Sequence, residues 1–179
     1  MASKLTPLKD LKVLKHQIPA HGLVPNTSIQ GKPLMIYKSA FPPNTSASEI
    51  ESHLSSIGVV TPQWRFTMYS FDHFHSTSHE VLGIAAGKAK LSFGHLKNPK
   101  RVEEVVQKGD VIIMPAGVSH RILEDVDGGF SMVGCYPTGC NWDMCYGKSG
   151  EEKKIDRIKD VAWFKRDPVY GDSGPTLEV

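Results

Sequence analysis

Hydrophobic and polar residues alternate in short runs through the middle of the chain. Between residues 62 and 137, seven runs rich in aromatic and β-branched residues are separated by Gly, Pro and Asp: QWRFTMYSF, HEVLGIAAG, KAKLSFG, VEEVVQKGD, DVIIMPAG, SHRILEDV and FSMVGCYP. Strands at this spacing are typical of a β-sandwich or a β-barrel. The earlier run PLMIYKS, at 33–39, predicts one more strand. The pattern therefore predicts an all-β fold, with a single barrel as the simplest arrangement.

A short helix is predicted between these two regions. The sequence at 46–49, Ser-Ala-Ser-Glu, is a capping box, in which the Ser and Glu side chains bind free backbone N–H groups. Ile50, Leu54 and Ile57 then recur at helical spacing, and Gly58 suits the C-terminal end of a helix. Near the C-terminus, the charged run at 150–166 predicts a segment that is helical in part.

The chain of 179 residues is expected to form one domain. Residues 1–61 would form an arm, a strand and the short helix, all packed on the barrel. Residues 62–140 would form the barrel core, and 141–179 a helical or irregular extension of the same domain.

Composition and charge exclude several classes of protein. The net charge is +2 and no Lys/Arg block is present, so we expect no nucleic-acid partner. No run approaches the ~20 apolar residues of a membrane span. The N-terminal segment lacks the apolar core of a secretory signal, which favours a cytoplasmic protein. The odd number of cysteines argues against a disulfide framework, although Cys140 and Cys145 remain a candidate reactive or metal-binding pair.

Possible metal ligands are concentrated in HFHSTSHE, at 73–80. In a strand, His73 and His75 would point to the same face. The turn after them can return one more ligand, which is Glu80, or His79 if the turn is one residue shorter. His120 follows the turn-forming sequence MPAGVS and can complete the site from a neighbouring strand.

These residues fall in two spaced motifs. The first is H-x-H-x4-E-x6-G over 73–87, and the second is G-x5-P-x-G-x2-H over 109–120. Together they resemble the two signature motifs of the cupin superfamily. The resemblance implies an RmlC-like jelly roll, a small double-stranded β-helix, with a metal at its centre. Carried over position by position, the ligands would be His73, His75, Glu80 and His120.

The spacing from Glu80 to Gly87 favours Glu80 over His79 as the fourth ligand. A narrower resemblance, to the YjlB-type single-domain cupins, rests on HFHSTSHEVLGIAAG, GDVIIMPAGVSH, VGCYPTGCNWD and DPVYGDSGP. It covers residues 33–176. It supports the fold and the metal rather than any one reaction.

Arg65 and Tyr69 are candidate catalytic residues. If the first barrel strand is regular, both share the face of His73 and His75 and would reach a substrate carboxylate or hydroxyl. A β-bulge would change this register.

Three imidazoles and a carboxylate suit one divalent first-row ion: Fe, Ni, Mn, Zn, Co or Cu. Such a set leaves coordination positions open, as catalysis requires. The resemblance implies a metal-dependent enzyme for a small organic molecule, with dioxygenase (oxidoreductase) or decarboxylase/lyase chemistry leading. A non-redox isomerase or cyclase and a non-catalytic binding or sensor protein are the alternatives. Cupins also pair through barrel edges, so we expect a homodimer.

Overall fold

The computed structural model describes residues 4–179 and places their strands in two antiparallel sheets. The strands are β1 Lys12–His16, β2 Leu34–Lys38, β3 Val60–Phe66, β4 Glu80–Ala86, β5 Lys88–Phe93, β6 Val102–Gln107, β7 Val111–Met114, β8 His120–Asp125 and β9 Ser131–Pro137. Two α-helices, α1 Ala47–Ile57 and α2 Glu152–Asp156, accompany them. The prediction of an all-β jelly roll with a short N-terminal helix is confirmed.

The larger sheet has six strands in the order β1-β2-β7-β4-β9-β3, and the smaller sheet has the order β6-β5-β8. Two strands of the larger sheet, β1 and β2, come from residues before 62. The sheet therefore extends beyond the segment from which the barrel core was predicted.

Side chains alternate between the two faces of the larger sheet. In β4, Leu82 and Ile84 point inward, where they join Leu91 and Phe93 of the smaller sheet in one buried cluster. Val81, the residue before Leu82, belongs to a second cluster on the outer face. Burial on both faces explains why the central strands read as continuous apolar runs.

Helix α1 covers part of the outer face. Ser46 Oγ accepts from the Glu49 N–H (3.2 Å), and the Glu49 carboxylate accepts from the Ser46 N–H (2.7 Å), so the predicted capping box is present. Ile50 and Leu54 are buried against the sheet. Gly58 ends the helix with a φ of 78°, a left-handed conformation that glycine adopts without strain.

The C-terminal extension also packs on that face and is joined to the sheet by one buried carboxylate. Asp167 accepts hydrogen bonds from the Tyr37 hydroxyl (2.6 Å), from the N–H groups of Val169 and Tyr170, and from the N–H and hydroxyl of Thr176. Tyr37 lies in β2, so Asp167 joins the extension to the sheet.

Helix α2 is short, and a 3-10 turn at Arg157–Asp160 follows it, so the charged run is helical only in part, as predicted. Within residues 4–179, no helix has both the length and the apolar character to cross a membrane.

Candidate metal centre

Three buried histidines meet at one end of the space between the sheets. His120 is the first residue of β8, and an isolated antiparallel bridge pairs it with His73. Their backbones exchange two hydrogen bonds, of 3.3 and 2.9 Å. His75 follows two residues later on the same extended segment. One ring nitrogen from each of His73, His75 and His120 lies within 4.8 Å of the other two, a group that could hold a metal ion.

Backbone carbonyls fix the orientation of all three rings. The Nδ1–H groups donate to the carbonyls of Phe71 (His73, 3.0 Å), Asp143 (His75, 2.5 Å) and Val118 (His120, 2.9 Å). Because a carbonyl oxygen only accepts, each Nδ1 must carry the proton in the neutral ring. Each Nε2 is then left with a free lone pair, which is the form that binds a metal.

The Glu80 carboxylate faces these nitrogens. Its Oε2 lies 3.4 Å from Nε2 of both His75 and His120. The other oxygen, Oε1, accepts from the Tyr136 hydroxyl (2.9 Å). Oε2 is buried and has no hydrogen-bond partner among the described residues. A buried carboxylate oxygen without a partner is costly, and a cation among the Nε2 atoms would satisfy it. The residues present therefore fit a metal ion.

Burial and mutual charge set the protonation of the group. Burial opposes the ionisation of Glu80, but His75, His120 and the Tyr136 hydroxyl outweigh it and lower the pKa of Glu80 to about 2. Burial, with His73 nearby, lowers the pKa of His120 to about 3, and burial also lowers the pKa of His73. Glu80 is thus ionised, and His73 and His120 are neutral, at physiological pH.

His79, the alternative to Glu80, faces away from the three histidines. Its Nδ1 accepts from the Ala116 N–H (2.9 Å), and its ring packs on Trp163 and Phe164 of the C-terminal extension. Burial lowers the pKa of His79 to about 4, so the ring stays neutral. Strand alternation puts His79 on the outer face and Glu80 on the inner face, and the structure brings only Glu80 to the histidines.

A cavity of about 370 Å³ opens onto the histidine group. Its walls are mostly apolar and include five aromatic side chains: Trp64, Phe66, Tyr69, Tyr136 and Trp142. Trp142 stacks on Tyr136 with ring centroids 4.3 Å apart, and Tyr136 also meets the edge of His75.

The two candidate catalytic residues line the cavity in different ways. Arg65 directs its guanidinium to helix α1, where it binds both carboxylate oxygens of Glu51 (2.6 and 2.8 Å) and the Ser48 hydroxyl. The Tyr69 ring lies at the mouth, half exposed, with its ring against His73.

The structure has no regular strand that runs through both Arg65 and Tyr69. Strand β3 ends at Phe66, and a register shift between Pro62 and Trp64 interrupts its pairing with β9. The indole of Trp64, not the guanidinium of Arg65, consequently packs against the inner core.

Cys140 and Cys145, the candidate reactive or metal-binding pair, lie in different surroundings. Cys140 is exposed, whereas Cys145 is buried near the Asp143 carboxylate (3.5 Å). Burial, together with the charge of Asp143, raises the pKa of Cys145 to about 12, so the thiol stays protonated.

Two contacts of the site were not predicted from the sequence: that of Tyr136 with Glu80 and that of the Asp143 carbonyl with His75. Asp143 accepts from His75 through its carbonyl, while its carboxylate binds the N–H (2.7 Å) and hydroxyl (2.5 Å) of Ser76. Tyr136 sits in a run that predicts only a strand, and no local signal marks its contact with Glu80.

Comparison with known proteins gives matches in sequence and in structure. The profile of the Cupin family matches residues 70–131. Over 162 residues the chain is 31% identical to the uncharacterized protein YjlB of Bacillus subtilis (strain 168), covering 90% of this chain and 92% of that protein. RmlC from Streptococcus suis matches with a TM-score of 0.36 and 11% identity over 70% of each chain. The coconut allergen cocosin matches with a TM-score of 0.36 and 9% identity over 81% of this chain, which spans 30% of the allergen.

Proposed function

Because the chain belongs to the cupin family, and within it to the YjlB type, we propose that it is a mononuclear metal-dependent enzyme. It would act on a small organic molecule, with dioxygenase or decarboxylase/lyase chemistry as the leading class. The metal would be one divalent first-row ion, held by His73, His75, His120 and Glu80.

One observation carries this proposal: three imidazoles with fixed tautomers and one unpartnered carboxylate oxygen converge beside a cavity. A purely structural metal site is closed by protein ligands on all sides. Here the histidine group lines the wall of a cavity large enough for a small molecule.

The bound ion would supply Lewis acidity and, if redox-active, a site for O₂ chemistry. The protein residues have their own tasks. The carbonyls of Phe71, Asp143 and Val118 hold the proton of each neutral ring on Nδ1, so that Nε2 is the nitrogen with the lone pair. The Tyr136 hydroxyl restrains Oε1 of Glu80 and leaves Oε2 free. The apolar walls exclude water, which strengthens every electrostatic interaction inside the cavity.

Metal content tests the site directly. We expect about one equivalent of a first-row metal per chain by elemental mass spectrometry, from the donor set and its single convergence point. The His73→Ala/His75→Ala variant should lose it. A His16→Ala/His21→Ala variant, which removes two histidines outside the site, should retain it. A parent protein that takes up no metal even on reconstitution would refute the proposal.

Turnover distinguishes an enzyme from a binding or sensor protein. Candidate small molecules are incubated with the metal-loaded protein with and without O₂, and the products are analysed by mass spectrometry. Conversion that stops on chelation and in the double variant supports the enzyme. Ligands that bind reversibly and are recovered unchanged would favour the sensor alternative. Conversion to a product with the same elemental composition as the substrate would favour the isomerase or cyclase alternative.

A further inference from the structure

The cavity beside the histidine group has aromatic walls and few cationic side chains. Its inner walls carry Tyr136, which is buried, and Trp64, which is partly buried. Trp142 lies over Tyr136 with the two ring planes only 5° from parallel. Trp142 lines the cavity and is 41% exposed, so part of its ring surface is uncovered. A flat aromatic surface is therefore presented to whatever enters the cavity.

The mouth of the cavity is aromatic as well. Phe66 and Tyr69 line it, are 50% and 45% exposed, and lie 5.6 Å apart. Phe71 stacks on Tyr69 at 4.8 Å and is 44% exposed. Large aromatic side chains are normally buried, and a contiguous exposed group marks a contact surface for an apolar partner or ligand. This group is continuous with the cavity walls, so a ligand in the cavity is the occupant that it fits.

Cationic groups for an anionic ligand are scarce there. Apart from the histidines, Arg65 is the one basic residue within 4–179 that lines the cavity. Its guanidinium is held by Glu51 and Ser48, and the ion pair neutralises its charge. The Tyr136 hydroxyl is likewise engaged by Glu80 and by the Trp64 Nε1–H (3.1 Å). A phosphate or a second carboxylate on the ligand would lose its hydration with little in return.

We propose that the cavity selects planar aromatic molecules that carry one pair of adjacent oxygen donors, with the ring against Trp142 and the oxygens toward the histidine group. This inference rests on the proposed function, because the bound ion is the partner of the two oxygens. Stacking and burial of the aromatic ring supply the binding free energy, and the metal ion fixes the orientation of the two oxygens. Phosphorylated and polyanionic compounds are excluded by the lack of free cations.

Three matched probes test this selection. Catechol carries the ring and the two oxygens, cis-1,2-cyclohexanediol carries the oxygens without the aromatic ring, and 2-hydroxyphenyl phosphate carries the ring with a dianion. Each is titrated into the metal-loaded protein under anaerobic conditions and followed by isothermal calorimetry. Catechol should bind at least about tenfold more tightly than the diol, since a tenfold ratio is the ~1.4 kcal/mol that stacking and burial of one ring supply. It should also bind at least about tenfold more tightly than the phosphate, because the dianion loses its hydration and meets no free cationic side chain.

A variant tests the position of the ring. Trp142→Leu keeps an apolar side chain but removes the aromatic surface, and it should weaken catechol binding about tenfold. Tyr146→Leu is the matched control, because Tyr146 is exposed beside Phe71 but does not line the cavity. It should leave the affinity unchanged. Metal content, measured on every sample, should be equal in both variants and the parent.

The outcomes separate the two proposals. A metal-loaded protein that binds the diol or the phosphate as tightly as catechol overturns this inference and leaves the metal-dependent function standing. Equal catechol affinity in Trp142→Leu and the parent overturns the placement of the ring and with it the inference. A protein that takes up no metal overturns both, and the elemental measurement shows it before any titration.

Discussion

The hydroxyl of Tyr136 joins two residues that line the cavity. It donates to Oε1 of Glu80 (2.9 Å) and accepts from the indole N–H of Trp64 (3.1 Å). Burial, with the charge of Glu80, raises the pKa of Tyr136 well above its usual range, so the hydroxyl keeps the proton that it donates. Glu80 is thereby held with one oxygen engaged and the other directed at the three imidazoles.

Tyr136→Phe should weaken metal binding without removing a ligand. Loss of an outer partner of a metal ligand commonly costs about 10- to 100-fold in metal affinity, and we expect that range here. Titration of the metal-free protein with Co²⁺, followed by its visible absorption, measures the affinity.

Tyr37→Phe provides a matched control. Tyr37 also donates a buried hydroxyl to a carboxylate, that of Asp167 at 2.6 Å, but on the outer face of the sheet. This variant should lose stability and keep the Co²⁺ affinity of the parent. Equal affinities for all three proteins would show that Tyr136 does not position Glu80.

At the scale of elements, the sequence predicted most strands because their apolar periodicity is local. The strand at 33–39 and the helix after Ser46 are confirmed, as β2 and α1. The orientation of Arg65 was predicted wrongly, because it depends on pairing between distant segments. The register shift after Pro62 arises where β3 meets β9, and it rotates Arg65 out toward α1.

Pairing between distant segments also places Tyr136 beside Glu80. Strand β4 pairs with β9 so that Val81 lies opposite Cys135, and this register places the next residue, Tyr136, beside Glu80. Fifty-six residues separate Tyr136 and Glu80 in the sequence. The histidines and Glu80, by contrast, fall in two short motifs whose spacing is visible without knowledge of any pairing.

The capping box of α1 makes a prediction at this scale. Ser46→Ala removes the acceptor of the Glu49 N–H and should lower the free energy of unfolding by about 1 kcal/mol. Urea denaturation followed by circular dichroism measures the change. Ser55→Ala, at an exposed position of the same helix, should change it by less than about 0.5 kcal/mol, and a similar loss in both variants would argue against the cap.

At the scale of the whole molecule, one carboxylate joins the C-terminal extension to the sheet. Asp167→Ala would leave the Tyr37 hydroxyl and the Thr176 N–H and hydroxyl buried without acceptors. Since each such group costs about 1–3 kcal/mol, we expect a loss of at least about 3 kcal/mol in the free energy of unfolding.

Asp172→Ala is the control for that loss. Asp172 pairs with Arg166 at the surface, where its side chain is 90% exposed, and an exposed pair contributes at most about 1 kcal/mol. Both proteins should bind metal with the stoichiometry of the parent, because Asp167 lies on the face opposite the histidines. An Asp167→Ala protein as stable as the parent would show that the extension is held by its apolar contacts alone.

The free edges of the larger sheet bear on assembly. Strands β1 and β3 are its two outer strands, and each has one side without a partner strand within residues 4–179. Pro62 lies in β3, where a residue without an N–H is tolerated because the strand is at an edge. Unpaired edges favour association with a second copy. We therefore expect a homodimer, and light scattering during gel filtration at micromolar concentration should give twice the 19.7 kDa mass of one chain. A mass of a single chain under those conditions would show that both edges remain free, and that the cavity is built without a contribution from a second copy.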